Sequence, residues 1–294
     1  MNKLKLIHSN PDFLVFYKPE GLSFYEDGQK HDLLKEVHQM EADSKIPEGE
    51  RIFPVHRLDR ITSGLILFAR SRTNANLLGN EFRHNRVNKI YAAISVYPPK
   101  KRHGFIEGDI VKSRRGIYKL SQSTDLPSRT QFTSRSIPNR RPGLRLFLVR
   151  PETGKTHQVR VVLKSIGSAI LGDPQYDRFD SARSEDRTYL HAIAISFQLK
   201  GQLYKFVHLP ETGIEYLTAE FKQTLDSFGD LFQINWPAKS NFQSKDHGFK
   251  SQEHSFNDQR LGFRNHKQSS NSRKSDSQKR SKRPGRRERH SKSS

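Results

Sequence analysis

The chain has 294 residues, no cysteine, only 33% hydrophobic residues and a formal net charge of +21. Those figures exclude a disulfide-stapled scaffold and Cys-based zinc sites, and the charge calls for a polyanionic partner. No run approaches the roughly 20 apolar residues of a membrane span and no signal peptide precedes Lys18-Pro19, so the expectation is a soluble, cytoplasmic protein.

Leu4–Leu6 and Phe13–Tyr17 read as short strands separated by the turn Ser9-Asn10-Pro11-Asp12, and Lys18-Pro19-Glu20-Gly21 then breaks the chain. Asp32–Met40 has weak helical spacing at Leu33, Leu34 and Val37, and the polar residues 41–51 read as a surface loop. The stretch from Phe53 to Arg70 is the one around which the chain is organised. It joins a charged cluster, His56-Arg57-Leu58-Asp59-Arg60, through Gly64 to the unbroken apolar run Leu65–Ala69. Such a run, without polar alternation, predicts a strand buried on both faces.

Ser71 or Thr73 can cap a helix reaching about Arg86, with Ala75, Leu78 and Phe82 as its apolar stripe. Lys89–Val96 alternates as a strand, with Tyr91 on the face opposite Ile90, Ala92 and Ile94. Residues 98–128, rich in Lys, Arg, Gly and Ser, read as the least structured part of the domain. Arg145–Arg150 is a further core strand. After Thr153-Gly154-Lys155-Thr156, the spacing of Val159, Val162, Leu163 and Ile166 predicts a helix stopped by Gly167, with His157, Arg160 and Lys164 on its opposite face. Tyr189–Leu199 and Leu203–Leu209 form a hairpin, and Ile214, Leu217, Phe221, Leu225 and Phe228 an amphipathic helix. Beyond Pro237 apolar periodicity ends. From Ala238 onward about 16 basic residues face about 5 acidic ones, so roughly +11 of the net charge lies in a tail expected to be disordered.

Three polar clusters could carry chemistry: His56/Arg57/Asp59/Arg60, Tyr91, and His157/Arg160. Thr153-Gly154-Lys155-Thr156 lacks the upstream Gly of a phosphate loop, and Ser63 lacks a nucleophile-elbow context. A metal site from His56, Asp59, His157 and His191 has no recognised ligand spacing, and the arginines would repel a divalent cation. What remains is one carboxylate, Asp59, among guanidinium groups that favour its ionised form, suited to act as nucleophile or base. Tyr91 offers a ring for stacking or a phenol for proton handling, and His157 alone reads as a structural hydrogen-bonding residue.

His56-Arg57-Leu58-Asp59 followed by Thr62-Ser63-Gly64 resembles the H-R-L-D-x-x-T-S-G signature of the RluA family of RNA pseudouridine synthases. Over residues 1–210, Lys18-Pro19-Glu20-Gly21, Lys89-Ile90-Tyr91-Ala92, Thr153–Arg160, Leu171-Gly172-Asp173 and Leu190-His191-Ala192 resemble further elements of that family, in order. Lys155 departs from the usual Arg, and Val162 from a common His. The resemblance implies an α+β fold with a mixed, mostly antiparallel central sheet flanked by helices and loops. It implies a catalytic domain over 1–213, then a helix and extension over 214–237 and the basic tail over 238–294.

The implied reaction turns a uridine of ribosomal or transfer RNA into pseudouridine, without cofactor or metal, in a monomer that binds no membrane. Asp59 matches the catalytic aspartate, whether it attacks C1′, adds to C6 or abstracts the 2′ proton. Arg160 matches its arginine partner, Tyr91 the tyrosine that packs on the base, and Arg57 the residue that fills the gap left by the flipped uridine. Arg60, Lys155 and His157 are expected to contact substrate. A non-catalytic RNA-binding protein and a metal-dependent nuclease are the alternatives.

Overall fold

β4 (Ser63–Ala69) is buried at every residue, and the sheet is built outward from it. The computed structural model describes residues 3–24, 32–43 and 52–239, all within one compact unit, Met1–Phe242. The expected loop at 41–51 falls mostly outside these residues, as does the tail beyond Lys239.

The elements are β1 (Lys5–Ser9), β2 (Phe13–Lys18), α1 (Leu33–Ala42), β3 (Phe53–Pro54), β4, α2 (Arg72–Arg83), β5 (Asn88–Ser95), β6 (His103–Gly108), β7 (Ile110–Lys112), β8 (Tyr118–Leu120), β9 (Ser128–Ser136), β10 (Arg145–Pro151), α3 (Gln158–Ser165), α4 (Phe179–Ser184), β11 (Leu190–Leu199), β12 (Gln202–Val207) and α5 (Ala219–Asp226). The main sheet runs β1-β2-β4-β11-β5-β10-β9-β6, with β12 beside β11 and β3 beside β4. Among these described strands every pairing is antiparallel except β4 with β11. This is the mixed, mostly antiparallel α+β architecture that the resemblance implied.

Two-sided burial of β4 follows from its period of two. Leu65 and Leu67 face Leu78 and Phe82 of α2, while Ile66 and Phe68 face Leu33 and Val37 of α1. A third apolar cluster joins β5 and β10 to α3 and α5. Side chains cap the starts of α2 and α1. The Ser71 hydroxyl accepts from Asn74 N at 3.1 Å, and Asp32 accepts from Lys35 N at 2.9 Å.

Gly64 is required where the parallel pairing begins. It sits opposite Ala192 at φ +118°, and a Cβ there would lie 2.3 Å from the Ala192 carbonyl oxygen. Gly64→Ala is expected to destabilise the fold by about 2–4 kcal/mol, read as a lowered urea midpoint with unchanged slope. Full retention of the midpoint would show that β4 and β11 can part without cost.

Three expectations are corrected. Residues 98–128 are not the least structured part: they hold β6, the β7–β8 ladder and the start of β9. Their polar composition reflects position at the sheet edge, where many side chains point to solvent. The C-terminal helix is shorter than its apolar spacing suggests. Thr218 caps it, its hydroxyl accepting from Phe221 N at 3.1 Å, and Ile214 and Leu217 lie before it, exposed. Finally, the face opposite the apolar stripe of α3 is not one uniform set: His157 and Arg160 both reach Asp59, and Lys164 does not line the cleft. His157 precedes α3 in the left-handed region at φ 56°, Arg160 is buried, and only Lys164 is exposed.

Candidate active site

His56 begins the site by ending a strand. The main chain leaves β4 after Pro54, and the His56 ring takes over, its Nε2 accepting from Leu67 N at 3.0 Å while the ring stacks on Phe82 at 4.7 Å. Burial, reinforced by the charge of Lys89, pushes its pKa down to about 3, so the ring is the neutral acceptor that this bond requires. Leu58 is buried in the core on the α1 side. With His56 and Leu58 fixed inward, Arg57 and Asp59 are turned towards a cleft of about 810 Å³.

The loop Lys18–Gly21 holds the cluster from beneath. The fully buried Lys18 ammonium donates to the carbonyls of Pro19 and Leu22, each at 2.9 Å, and of Arg60 at 3.3 Å. Gly21 N donates to that same Arg60 carbonyl at 2.8 Å, and Thr62 N closes the turn onto Asp59 O at 3.0 Å. Burial lowers the Lys18 pKa to about 7. Arg187, also buried, ties the neighbouring pieces together: it donates to Ser63 Oγ at 2.6 Å and Thr212 Oγ1 at 2.7 Å and pairs with Glu20 at 3.2 Å.

Across the cleft, α3 supplies Arg160. Its Nε and Nη2 donate to the two carboxylate oxygens of Asp173 at 2.7 and 2.9 Å, and Nη2 also donates to Gln175 Oε1 at 2.7 Å. The remaining nitrogen, Nη1, reaches Asp59 Oδ2 at 3.3 Å. Burial alone would lower the pKa of this guanidinium, but Asp173 and then Asp59 outweigh it and raise it. Arg160 is therefore a permanent cation clamped in plane by Asp173, with one donor left for Asp59.

His157 Nε2 stands 3.9 Å from the same Asp59 oxygen, and its Nδ1 lies 3.0 Å from the Tyr176 hydroxyl, which accepts from Tyr118 N. Burial and the neighbouring Arg160 lower the His157 pKa. A neutral ring receiving the Tyr176 hydroxyl proton at Nδ1 carries its own proton on Nε2, facing Asp59.

Gln158 fixes the turn into α3. It accepts from Thr153 Oγ1 at 2.8 Å and Lys155 N at 2.9 Å, and donates to Arg129 O and Thr130 Oγ1, each at 2.9 Å. Tyr91 lies on β5 opposite Ala192 and Val149, with its ring on the cleft wall. Burial first, then the charge of Asp59, raises its pKa, so the phenol stays protonated.

Thus Asp59, Tyr91, Arg160, Arg57, Lys155 and His157 converge on one cleft. Arg60 does not line it; its side chain is exposed and its contribution to the site is its main-chain carbonyl. His56 and His191 are drawn away from any shared metal position, His191 lying buried between Ser63 Oγ and the His208 carbonyl, each at 2.8 Å. Among the described residues no three His, Asp or Glu side chains group as metal ligands. Sequence reasoning assigns no role to Asp173, Lys18, Gln158 or Arg187. Asp173, Lys18 and Gln158 stand within motif matches, a signal present but without a partner to give it meaning.

Comparisons with known proteins identify the family. Residues 12–165 match the family model of RNA pseudouridylate synthases. A Haemophilus influenzae protein named an uncharacterized RNA pseudouridine synthase is 37% identical over 211 residues, 72% of this chain and 89% of the relative. A Borreliella burgdorferi protein named ribosomal large subunit pseudouridine synthase D is 28% identical over 74% of this chain and 69% of its own. A Rickettsia bellii protein named ribosomal large subunit pseudouridine synthase C is 31% identical over 66% and 64%. The fold is also that of human RNA pseudouridylate synthase domain containing 1, with TM-score 0.59 and 22% identity over 74% of this chain and 87% of that one. The chain belongs to the RluA branch of the RNA pseudouridylate synthases, enzymes that isomerise uridine in RNA.

Proposed function

We propose that this protein converts specific uridines of ribosomal RNA to pseudouridine, with Asp59 as the nucleophile or base and the target uridine flipped into the cleft. The observation that carries the reading is the partly exposed Asp59 carboxylate, turned into the cleft and held by a buried Arg160 that Asp173 keeps in place. A carboxylate aimed at a bound nucleoside can attack C1′, add to C6 or remove the 2′ proton; each would free uracil from its C1′–N1 bond so that C5 can bond to C1′, C5 then giving up its proton and N1 taking one. Arg160 gives that carboxylate a cationic hydrogen-bond donor at 3.3 Å when the nucleoside excludes water. Tyr91 gives the base a flat apolar wall, and Arg57, exposed at the rim, can fill the stack that the uridine leaves.

Ribosomal RNA is favoured over transfer RNA because two of the relatives are named for the ribosomal large subunit. Every role in this reading is filled by residues of a single chain, which supports action as a monomer, and the reading puts the protein in the cytoplasm with its substrate. Base-resolution pseudouridine mapping of total RNA from cells with and without the protein tests the proposal. Sites that vanish from large-subunit RNA support it; loss confined to transfer RNA would move the substrate, and no lost site would refute it.

The basic tail adds affinity without chemistry. Removing residues 238–294 is expected to weaken RNA binding and reduce the slope of log affinity against log salt, while the turnover rate at saturating RNA persists. An unchanged slope across a salt series would assign the tail another task.

A further inference from the structure

The rim of the cleft carries one apolar side chain held out into solvent by a tightly fastened loop. β6 ends at Gly108-Asp109, where Gly108 lets the chain pass so close that a Cβ would lie 2.4 Å from the Ser121 carbonyl oxygen. Asp109 then fastens the loop that returns to β9. Its main chain exchanges hydrogen bonds with Ser121 N at 2.7 Å and Ser123 O at 2.9 Å. Its buried carboxylate accepts from the Ser123 hydroxyl at 2.8 Å, Asp125 N at 3.1 Å and Leu126 N at 3.0 Å. The residue so anchored, Leu126, is 73% exposed and lines the cleft with Pro127.

A lone exposed leucine is ordinary on a protein surface. This one differs in two respects. Its backbone is held by a buried carboxylate, and it stands in a cleft that Lys155, Arg129, Arg57 and Arg83 also line. Cations such as Lys155 and Arg129 suit phosphates and, with Arg57 assigned to the gap left by the uridine, leave the faces of flanking unstacked bases uncovered. A pre-ordered apolar side chain covers such a face with little entropic loss.

We propose that Leu126 is a specificity-determining contact, packing on a nucleobase that flanks the target uridine. The contact would favour RNA in which that neighbour is unstacked and available. The inference rests on the reading of the cleft as the uridine site.

Leu126→Gln and Leu126→Met test it, since both nearly preserve size and only one preserves apolarity. The substrate is large-subunit ribosomal RNA extracted from cells lacking the protein, with pseudouridine formation followed site by site. Gln is expected to raise KM about tenfold with kcat within about twofold, and Met to restore the wild-type KM. Melting temperatures should match throughout, because the side chain is exposed. Equal KM for Gln and wild type, or equal losses for Gln and Met, would overturn the role of Leu126 while leaving the enzyme reading intact. Absence of product with the wild-type protein would instead overturn that reading, and this contact with it.

Discussion

Asp59→Asn is expected to cut the single-turnover rate of pseudouridine formation by at least about a thousandfold, or ~4 kcal/mol of transition-state stabilisation. RNA affinity and melting temperature should scarcely change, and the reason lies on the far side of Arg160. That guanidinium keeps its two-point pairing with Asp173 when Asp59 is neutralised, so no orphaned charge is left in the core. Asparagine can still accept from Arg160 Nη1 through its amide oxygen, which preserves the geometry and removes only the charge. A stopped assay on large-subunit RNA, beside a filter-binding curve and a thermal melt, separates the outcomes. A variant that binds, melts normally and retains more than a few per cent of the rate would remove Asp59 from the chemistry.

Asp173→Ala is expected to damage fold and activity together. Asp173 is fully buried, and besides Arg160 its carboxylate accepts from Gln175 N at 3.0 Å and Tyr176 N at 3.2 Å. Its removal leaves a buried guanidinium with Asp59 and Gln175 as its remaining anchors, and breaking a buried pair from one side costs about 3–5 kcal/mol. In a protein of this size that corresponds to a fall in melting temperature of roughly 10 °C. The double variant Arg160→Met with Asp173→Asn separates structure from chemistry. Removing both charges while an amide oxygen still accepts from Gln175 N and Tyr176 N should return most of the stability. Activity should stay lost, because Asp59 then faces the nucleoside without its cation. Recovery of activity in the double variant would show that Arg160 and Asp173 are only a structural pair.

The contrast between these two aspartates measures how much of the site is legible in a string of residues. Asp59 stands out locally, since it interrupts a basic cluster just before an apolar strand, and its motif fixes the register of the resemblance. Asp173 has no such neighbourhood. It sits in a turn, Leu171-Gly172-Asp173-Pro174, whose match to a family element gives it no role until Arg160 is brought to it by the packing of α3. The same holds for Lys18, whose role becomes visible only when the Arg60 carbonyl, 42 residues away in sequence, is found on its ammonium. His56, without a role in the sequence pattern, proves to be a side chain that stands in for backbone beside β4. Residues 98–128 mislead for a related reason: an edge segment needs few apolar residues, so composition understates its order.

Local pattern alone determined the two-sided burial of β4, the starts of α1 and α2 and the hairpin of β11 and β12. Each depends on a period of 2 or 3.6 residues, a cap or a turn, all of them short-range properties of the chain. The family resemblance added the fold, the reaction and the roles expected of Asp59, Tyr91 and Arg160. Only the tertiary structure decided which side chains are free to act and which are spent on holding others. Arg160 divides itself between Asp173 and Asp59, Arg60 contributes a carbonyl rather than its charge, and Leu126 is fastened at the rim by Asp109. Gly64, too, is needed where β11 brings the Ala192 carbonyl against it and the chain turns through a φ of +118°. Those assignments depend on which distant donors, acceptors and backbones burial forces together, and a buried polar group takes whatever partner the fold supplies.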